Sequence, residues 1–222
     1  MRTTKTILLT VGLFFLVPAV AGATTITLSQ VSSDDTPASQ LDATLDFVIS
    51  GGTTLELTVT NTTGVGGDPT FNISEIFFNG SADVTSLTLD SETAAGEWEL
   101  NLLQSAGGFG TYDFQLISSD DPGAVIPTSA TFFLTINDGI GSFDMGDFVG
   151  DDTFSTTPPG MFEAQAAAKF VQCVDGSSVE CTEYDDSAFG ASNGPGFPPV
   201  PEPGTASLIG LGLVGLGLAR RR

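Results

Sequence analysis

Leu41, Ala43, Leu45, Phe47 and Ile49 stand at every second position, Gly51-Gly52 interrupts, and Leu55, Leu57 and Val59 resume the alternation. A period of two puts these side chains on one face of an extended chain, so the segment predicts a β-hairpin with one buried face. Thr25 to Val31, Phe71 to Phe78, Val84 to Leu89, Glu97 to Leu102, Thr111 to Ile117 and Ala130 to Ile136 are further strand candidates. Turn residues separate them at Asn61-Thr62-Thr63-Gly64, Gly66-Gly67-Asp68-Pro69, Asn79-Gly80, Asp121-Pro122-Gly123 and Asn137-Asp138-Gly139. Short strands at regular spacing predict an all-β, antiparallel β-sandwich of jelly-roll or Ig-like type over residues 24–188. The 17 phenylalanines, with the pairs Phe77-Phe78 and Phe132-Phe133, supply the large side chains of its core.

Two stretches depart from this pattern. Glu163 to Ala168 has strong helix propensity, yet it runs into a cysteine-containing hairpin, so helix and strand both stand for Met161 to Gln172. Residues 189–199 are rich in Gly, Pro and Ser/Asn without apolar period, and predict a linker.

The ends of the chain differ from its middle. Arg2 and Lys5 precede an apolar run from Ile7 to Val17 and the small residues Ala21-Gly22-Ala23, the pattern of a signal peptide over residues 1–23. At the other end, Val200-Pro201-Glu202-Pro203 precedes the apolar and small residues Gly204 to Ala219 and then Arg220-Arg221-Arg222. As a helix the apolar stretch would extend about 24 Å against a hydrocarbon core of ~30 Å, with the arginines as a cytoplasmic stop-transfer cluster.

In that order, the Val-Pro-Glu-Pro sequence, the Gly/Leu-rich transmembrane helix and the Arg cluster resemble the PEP-CTERM sorting signal of exosortase substrates, over residues 200–222. The resemblance implies an exosortase-like membrane sorting enzyme as partner, cleavage near Pro201 to Pro203, and delivery to the cell surface or an exopolysaccharide matrix after transient anchoring in the inner membrane. Leu55 to Thr62, Ile73 to Phe78, Gly110 to Phe114 and Thr131 to Asn137 resemble the β-sandwich bodies of exosortase-dependent surface proteins, which implies fold and nothing about catalysis.

Charge narrows the functional classes. Outside the two ends Lys169 is the sole cation, against every acidic residue but Glu202, a formal charge of about −25. Such a body has no basic face for nucleic acid or an anionic membrane, so membrane contact is expected only through the C-terminal helix before processing. The chain has no histidine, which removes the Ser-His-Asp arrangement and imidazole zinc sites.

Among candidate sites, Cys173 and Cys181 predict a disulfide across a hairpin around Asp175-Gly176, with free thiols or a metal pair as alternatives. Asp144, Asp147, Asp151 and Asp152, around Gly146 and Gly150, could converge on calcium as a cofactor, although the spacing is not that of an EF-hand; the alternative is a solvated acidic loop. Glu75, Glu92, Glu97 and Glu99 are available as acid and base for glycoside hydrolysis, but no motif assembles them, and the expectation is that the protein is not an enzyme. Trp98, Tyr112 and Tyr184 could stack on a sugar, although alternation places Trp98 in the core with Leu100 and Leu102. Asn61, Asn72 and Asn79 open Asn-x-Ser/Thr sequons. The function expected is that of an exported acidic surface or matrix protein with a structural or adhesive role, the alternative being a carbohydrate-binding module acting on exopolysaccharide.

Overall fold

The computed structural model describes residues 23–31, 41–63, 71–119, 123–137, 143–150, 153–155, 163–173 and 184–192. In chain order the strands are β1 (Ala23–Val31), β2 (Ala43–Ser50), β3 (Thr54–Asn61), β4 (Asn72–Phe78), β5 (Leu87–Glu92), β6 (Trp98–Ala106), β7 (Gly110–Ser118), β8 (Ser129–Ile136), β9 (Ala166–Cys173) and β10 (Tyr184–Ser192). A one-turn helix, α1, spans Gly146–Val149. All ten strands join one antiparallel sheet in the order β5-β8-β3-β2-β1-β10-β9-β4-β7-β6.

The all-β, antiparallel expectation holds, and the division into two separately bonded sheets does not appear in the strand pairing. The sheet curls into a nearly closed barrel, with its edges β5 and β6 in contact but unpaired. Trp98 on β6 crosses that seam to meet Phe132 on β8, ring centroids 5.2 Å apart and nearly perpendicular, while its indole Nε1 donates to Ala95 O. Gly96, at φ +76°, lets the connection pass beneath Ala124, whose Cβ would lie 2.3 Å from any Cβ placed there.

Strict alternation on β2, β3 and β8 sends Leu45, Phe47, Leu55, Leu57, Val59, Phe132 and Leu134 inward. From the far wall come Ile73, Ile76, Phe78, Phe114, Leu116 and Phe170. Phe47 meets Phe78 edge-on at 5.9 Å, Phe114 lies 5.4 Å from Phe78, and Phe148 of α1 closes that end of the interior against both Phe47 and Phe78.

The far wall is buried on both faces, which separates the adjacent phenylalanines. Phe78 enters the main core, whereas Phe77 points outward into a second cluster with Ala106, Phe109, Tyr112, Ala164, Ala167 and Ala191. Two-sided burial also settles Met161 to Gln172: residues 166–173 are strand, because alanines there fit between Phe77 and Phe78 and their neighbours on either side. The linker boundary moves as well. Residues 189–192 belong to β10, since Phe189 packs on Phe77 at 6.0 Å while Gly190 leaves inner space for Phe170, 2.7 Å from where a Cβ would sit.

Tyr112 is fully buried in the outer cluster, and its Oη has no hydrogen-bond partner among the described residues. Burial pushes the phenol pKa well above its ordinary value of 10.0, and the nearby Ser155 hydroxyl offsets this only in part. The folded state therefore keeps the proton where the unfolded chain has lost it, and this stability, present below about pH 10, is lost as the pH rises further. Tyr112→Phe is expected to flatten that alkaline loss and to preserve or raise stability at neutral pH, as read from urea midpoints across the range.

Candidate functional site

Strand β4 ends at Phe78, and the turn after it is held by side chains instead of ladder bonds. Asn79 Oδ1 accepts the Asp113 N–H at 2.8 Å, its Nδ2 donates to Thr153 O at 3.2 Å, and Gly80 N donates to Asp113 Oδ2 at 3.3 Å. A Cβ on Gly80 would meet Val84 Cβ at 2.7 Å, so only glycine lets the 80–84 segment fold back this closely. Ser81 in turn donates from its backbone N to Asp147 O at 2.6 Å and from Oγ to Asp147 Oδ1 at 2.8 Å, which fixes α1 over the barrel end.

Between this turn and the hairpin β6–β7 lies a half-open pocket of about 450 Å³. Val84 and Phe114 give it an apolar floor, Phe154 a wall, and Leu102 and Leu103 its lip. These leucines are 55% and 72% exposed and are the exposed large hydrophobic residues among the described ones. Leu103 has φ +54°, a left-handed conformation that costs a side-chain-bearing residue roughly 1 kcal/mol or more. It drops out of the ladder between the pairs Leu102–Phe114 and Gln104–Tyr112. Asp113 is the one titratable residue among those lining the pocket, so the site offers apolar contact and a few polar groups but no acid-base pair.

The residues singled out in the sequence fall in several places. Asp147 holds Ser81 through one carboxylate oxygen and the Asp144 N–H through the other, at 2.8 Å, while Asp144 Oδ1 accepts from Gly146 N. These two aspartates thus tie the α1 turn together; Asp151 and Asp152 lie outside the described residues, among which no cluster of three metal-binding side chains occurs. Cys173 ends β9, is 8% exposed, accepts from Asn72 Nδ2 at 3.4 Å and pairs with Tyr184 of β10; Cys181 and the expected turn at Asp175-Gly176 lie outside the described residues. Trp98 and Tyr112 are buried in the seam and the outer cluster, where neither can offer a face to a sugar. Tyr184 opens β10.

The sequon asparagines do internal work. Asn61 Nδ2 donates to Phe71 O at 2.8 Å and its Oδ1 accepts from Thr63 N, while Asn72 and Asn79 are 4% and 3% exposed. Glu97, just before β6, and Glu99, within it, are exposed on either side of the buried Trp98, as alternation requires. Glu75 is already engaged: its Oε1 holds the Lys169 ammonium at 2.7 Å and its Oε2 accepts from Gln115 Nε2 at 2.6 Å, across three neighbouring strands.

Two features escaped the sequence reading. The Glu75–Lys169 pairing needed the β4–β9 register, although Lys169 stood out as the body's sole cation. The pocket lip did have a signal, since consecutive leucines at 102 and 103 cannot both face the core of a regular strand. Glu75→Ala is expected to cost about 1–3 kcal/mol, because it leaves an ammonium and a carboxamide without their shared acceptor. Leu103→Gly should hold stability or raise it by up to about 1 kcal/mol, whereas Leu102→Gly on ordinary strand backbone should lower it; chemical denaturation reads all three.

Among the described residues no helix is long and apolar enough to cross a membrane; the sorting segment with Val200, Pro201, Glu202, Pro203 and Arg220 to Arg222 lies outside them, as do residues 1–22 of the signal peptide expected over residues 1–23, whose last residue, Ala23, opens β1. No curated protein and no solved structure matches the chain. The family model for the PEP-CTERM protein-sorting motif matches residues 199–222. The chain therefore carries, behind an all-β domain, a PEP-CTERM motif of the kind that directs exosortase-dependent export and surface sorting.

Proposed function

We propose that this protein is a non-enzymatic structural or adhesive component of the cell surface or extracellular matrix, cleaved near Pro201 to Pro203 when an exosortase-like enzyme releases it from a transient inner-membrane anchor. The observation that carries this reading is the sorting motif at residues 199–222. The body's charge supports a matrix role: about −25 on one domain keeps it hydrated, resists self-association, and attracts divalent cations such as calcium diffusely over its surface. The pocket's described lining offers apolar contact and a single carboxylate, Asp113, a composition that suits binding. Binding to exopolysaccharide would then rest on polar and cation-bridged contacts, because Trp98 and Tyr112 are committed to the interior.

A disulfide between Cys173 and Cys181 belongs to the same reading, as an oxidising exterior would favour closing the β9–β10 connection. Its contribution would be modest, because the loop it closes is short.

Intact-mass measurement of protein recovered from the surface or medium tests the proposal. A mature chain from about Thr24 to near Pro201, without free thiols before reduction, is the expected result. A chain that retains Gly204 to Arg222 would instead be a permanently anchored protein, and the matrix role would fall.

A further inference from the structure

The strand register places the pocket lip and the exit of β10 on one line. Leu102 pairs with Phe114, Phe114 with Phe78, and Phe78 with Ala166. Ala167 pairs with Ala191, so Ser192 stands opposite Ala166, and its Oγ accepts the Ala166 and Gln165 N–H groups at 3.3 and 2.9 Å. Because the strands alternate in direction, Leu103, Asp113, Asn79, Gln165 and the C-terminal end of β10 at Ser192 all lie on the same side of that line. Thr153 joins the two sides there: its O accepts from Asn79 Nδ2, its Oγ1 from Gln165 Nε2 at 3.5 Å, and its neighbour Phe154 lines the pocket.

From Ser192 to Leu102 is four strand spacings, about 19 Å along the sheet and less across its curve. The segment that follows Ser192 is Asn193-Gly194-Pro195-Gly196-Phe197-Pro198-Pro199. In polyproline form its first five residues reach about 16 Å, which brings the Phe197 ring to the lip. Chemistry agrees with reach. The segment is uncharged, ends in an aromatic residue and two prolines, and faces a pocket with an apolar floor and lip. Short, proline-stiffened segments bind aromatic-lined grooves at little entropic cost, and a tether of this length keeps the local concentration in the millimolar range. A second copy of the chain is a poorer occupant, because its body would bring another ~25 negative charges to the surface.

We propose that the pocket beside Leu102 and Leu103 is an intramolecular dock for residues 193–199, with Phe197 seated against the two leucines, Phe114 and Phe154. Docking explains why an exposed leucine keeps a left-handed backbone: the conformation turns its side chain onto a ligand that the same chain provides. The segment is then no free tether, and Val200 to Pro203 emerge at the β6 edge, a defined place on the domain for a processing enzyme to meet. The dock lies ahead of the cleavage region, so it persists whether or not the signal is removed, and its test is independent of the sorting reading.

Replacing Phe197 with the photocrosslinker p-benzoylphenylalanine in the full chain tests it without touching the folded domain. Irradiation is expected to join residue 197 within one chain to the segment holding Leu102-Leu103 or to that holding Gly80 to Val84, as mapped by mass spectrometry after Glu-C digestion. Adding Leu103→Gly, which suits the backbone at that position, should lower the yield about tenfold or more by removing the apolar lip. Crosslinks to a second chain, crosslinks to another surface, the absence of any crosslink, or a yield indifferent to Leu103→Gly would each overturn the proposal.

Discussion

A single sheet can bury one continuous face only by curling until that face meets itself, and here the meeting is made by Phe47 and Phe78. They stand on β2 and β4, four places apart in the strand order, so their edge-on contact spans the interior instead of running along a wall. Phe114 and Phe148 complete the cluster, and Phe148 brings α1 with it as a plug. Once this contact is made, the free edges β5 and β6 are drawn together, and Trp98 reaching Phe132 seals them without a ladder of hydrogen bonds. Closing the edges also withdraws the exposed backbone groups that would otherwise invite pairing with other chains.

The same curl makes the two walls unequal. Strands β2, β3 and β8 face solvent on their outer side, where Thr, Glu and Asp alternate with the core residues. Strands β4 and β9 are covered outside by the tip of the β6–β7 hairpin and by residues 153–155 and 163–165, so Phe77 and Ala167 are as buried as Phe78 and Ala168. Ser155 fastens this cover by donating to Phe109 O and accepting from Ala164 N. The body's sole cation sits in this doubly covered wall, where one carboxylate oxygen of Glu75 holds it while the other accepts from Gln115. With Lys169 so engaged, the rest of the body's carboxylates have no basic side chain of the body to pair with.

The barrel end above Phe78 is also the end at which β10, the last described strand, stops. The Asn79 network, Asp147 and Thr153 organise the same rim from which β10 releases the chain toward the PEP-CTERM motif. The pocket there is shaped by an apolar lip and floor with Asp113 as the one carboxylate of its lining.

Sequence alone determined the eight strands from Ala23 to Ile136, because a period of two with turn residues between is a local property of the chain. It also determined the sorting motif, whose order of tripeptide, apolar stretch and arginines needs no folding to be legible. Burial of Trp98 followed from alternation, but its role as a seam did not. What tertiary structure decided were matters of pairing and of covering. The joining of all ten strands into one curled sheet was decided there, because strand order depends on contacts distant in sequence. Ala166 to Cys173 became strand against helix propensity, and Phe189 to Ser192 joined β10 despite a linker-like composition, because both are buried on two faces that only the assembled barrel supplies. The fold likewise turned the side chains of Asp144, Asp147, Asn61 and Asn79 to backbone groups that turns and strand ends leave unpaired, which no residue pattern displays in advance.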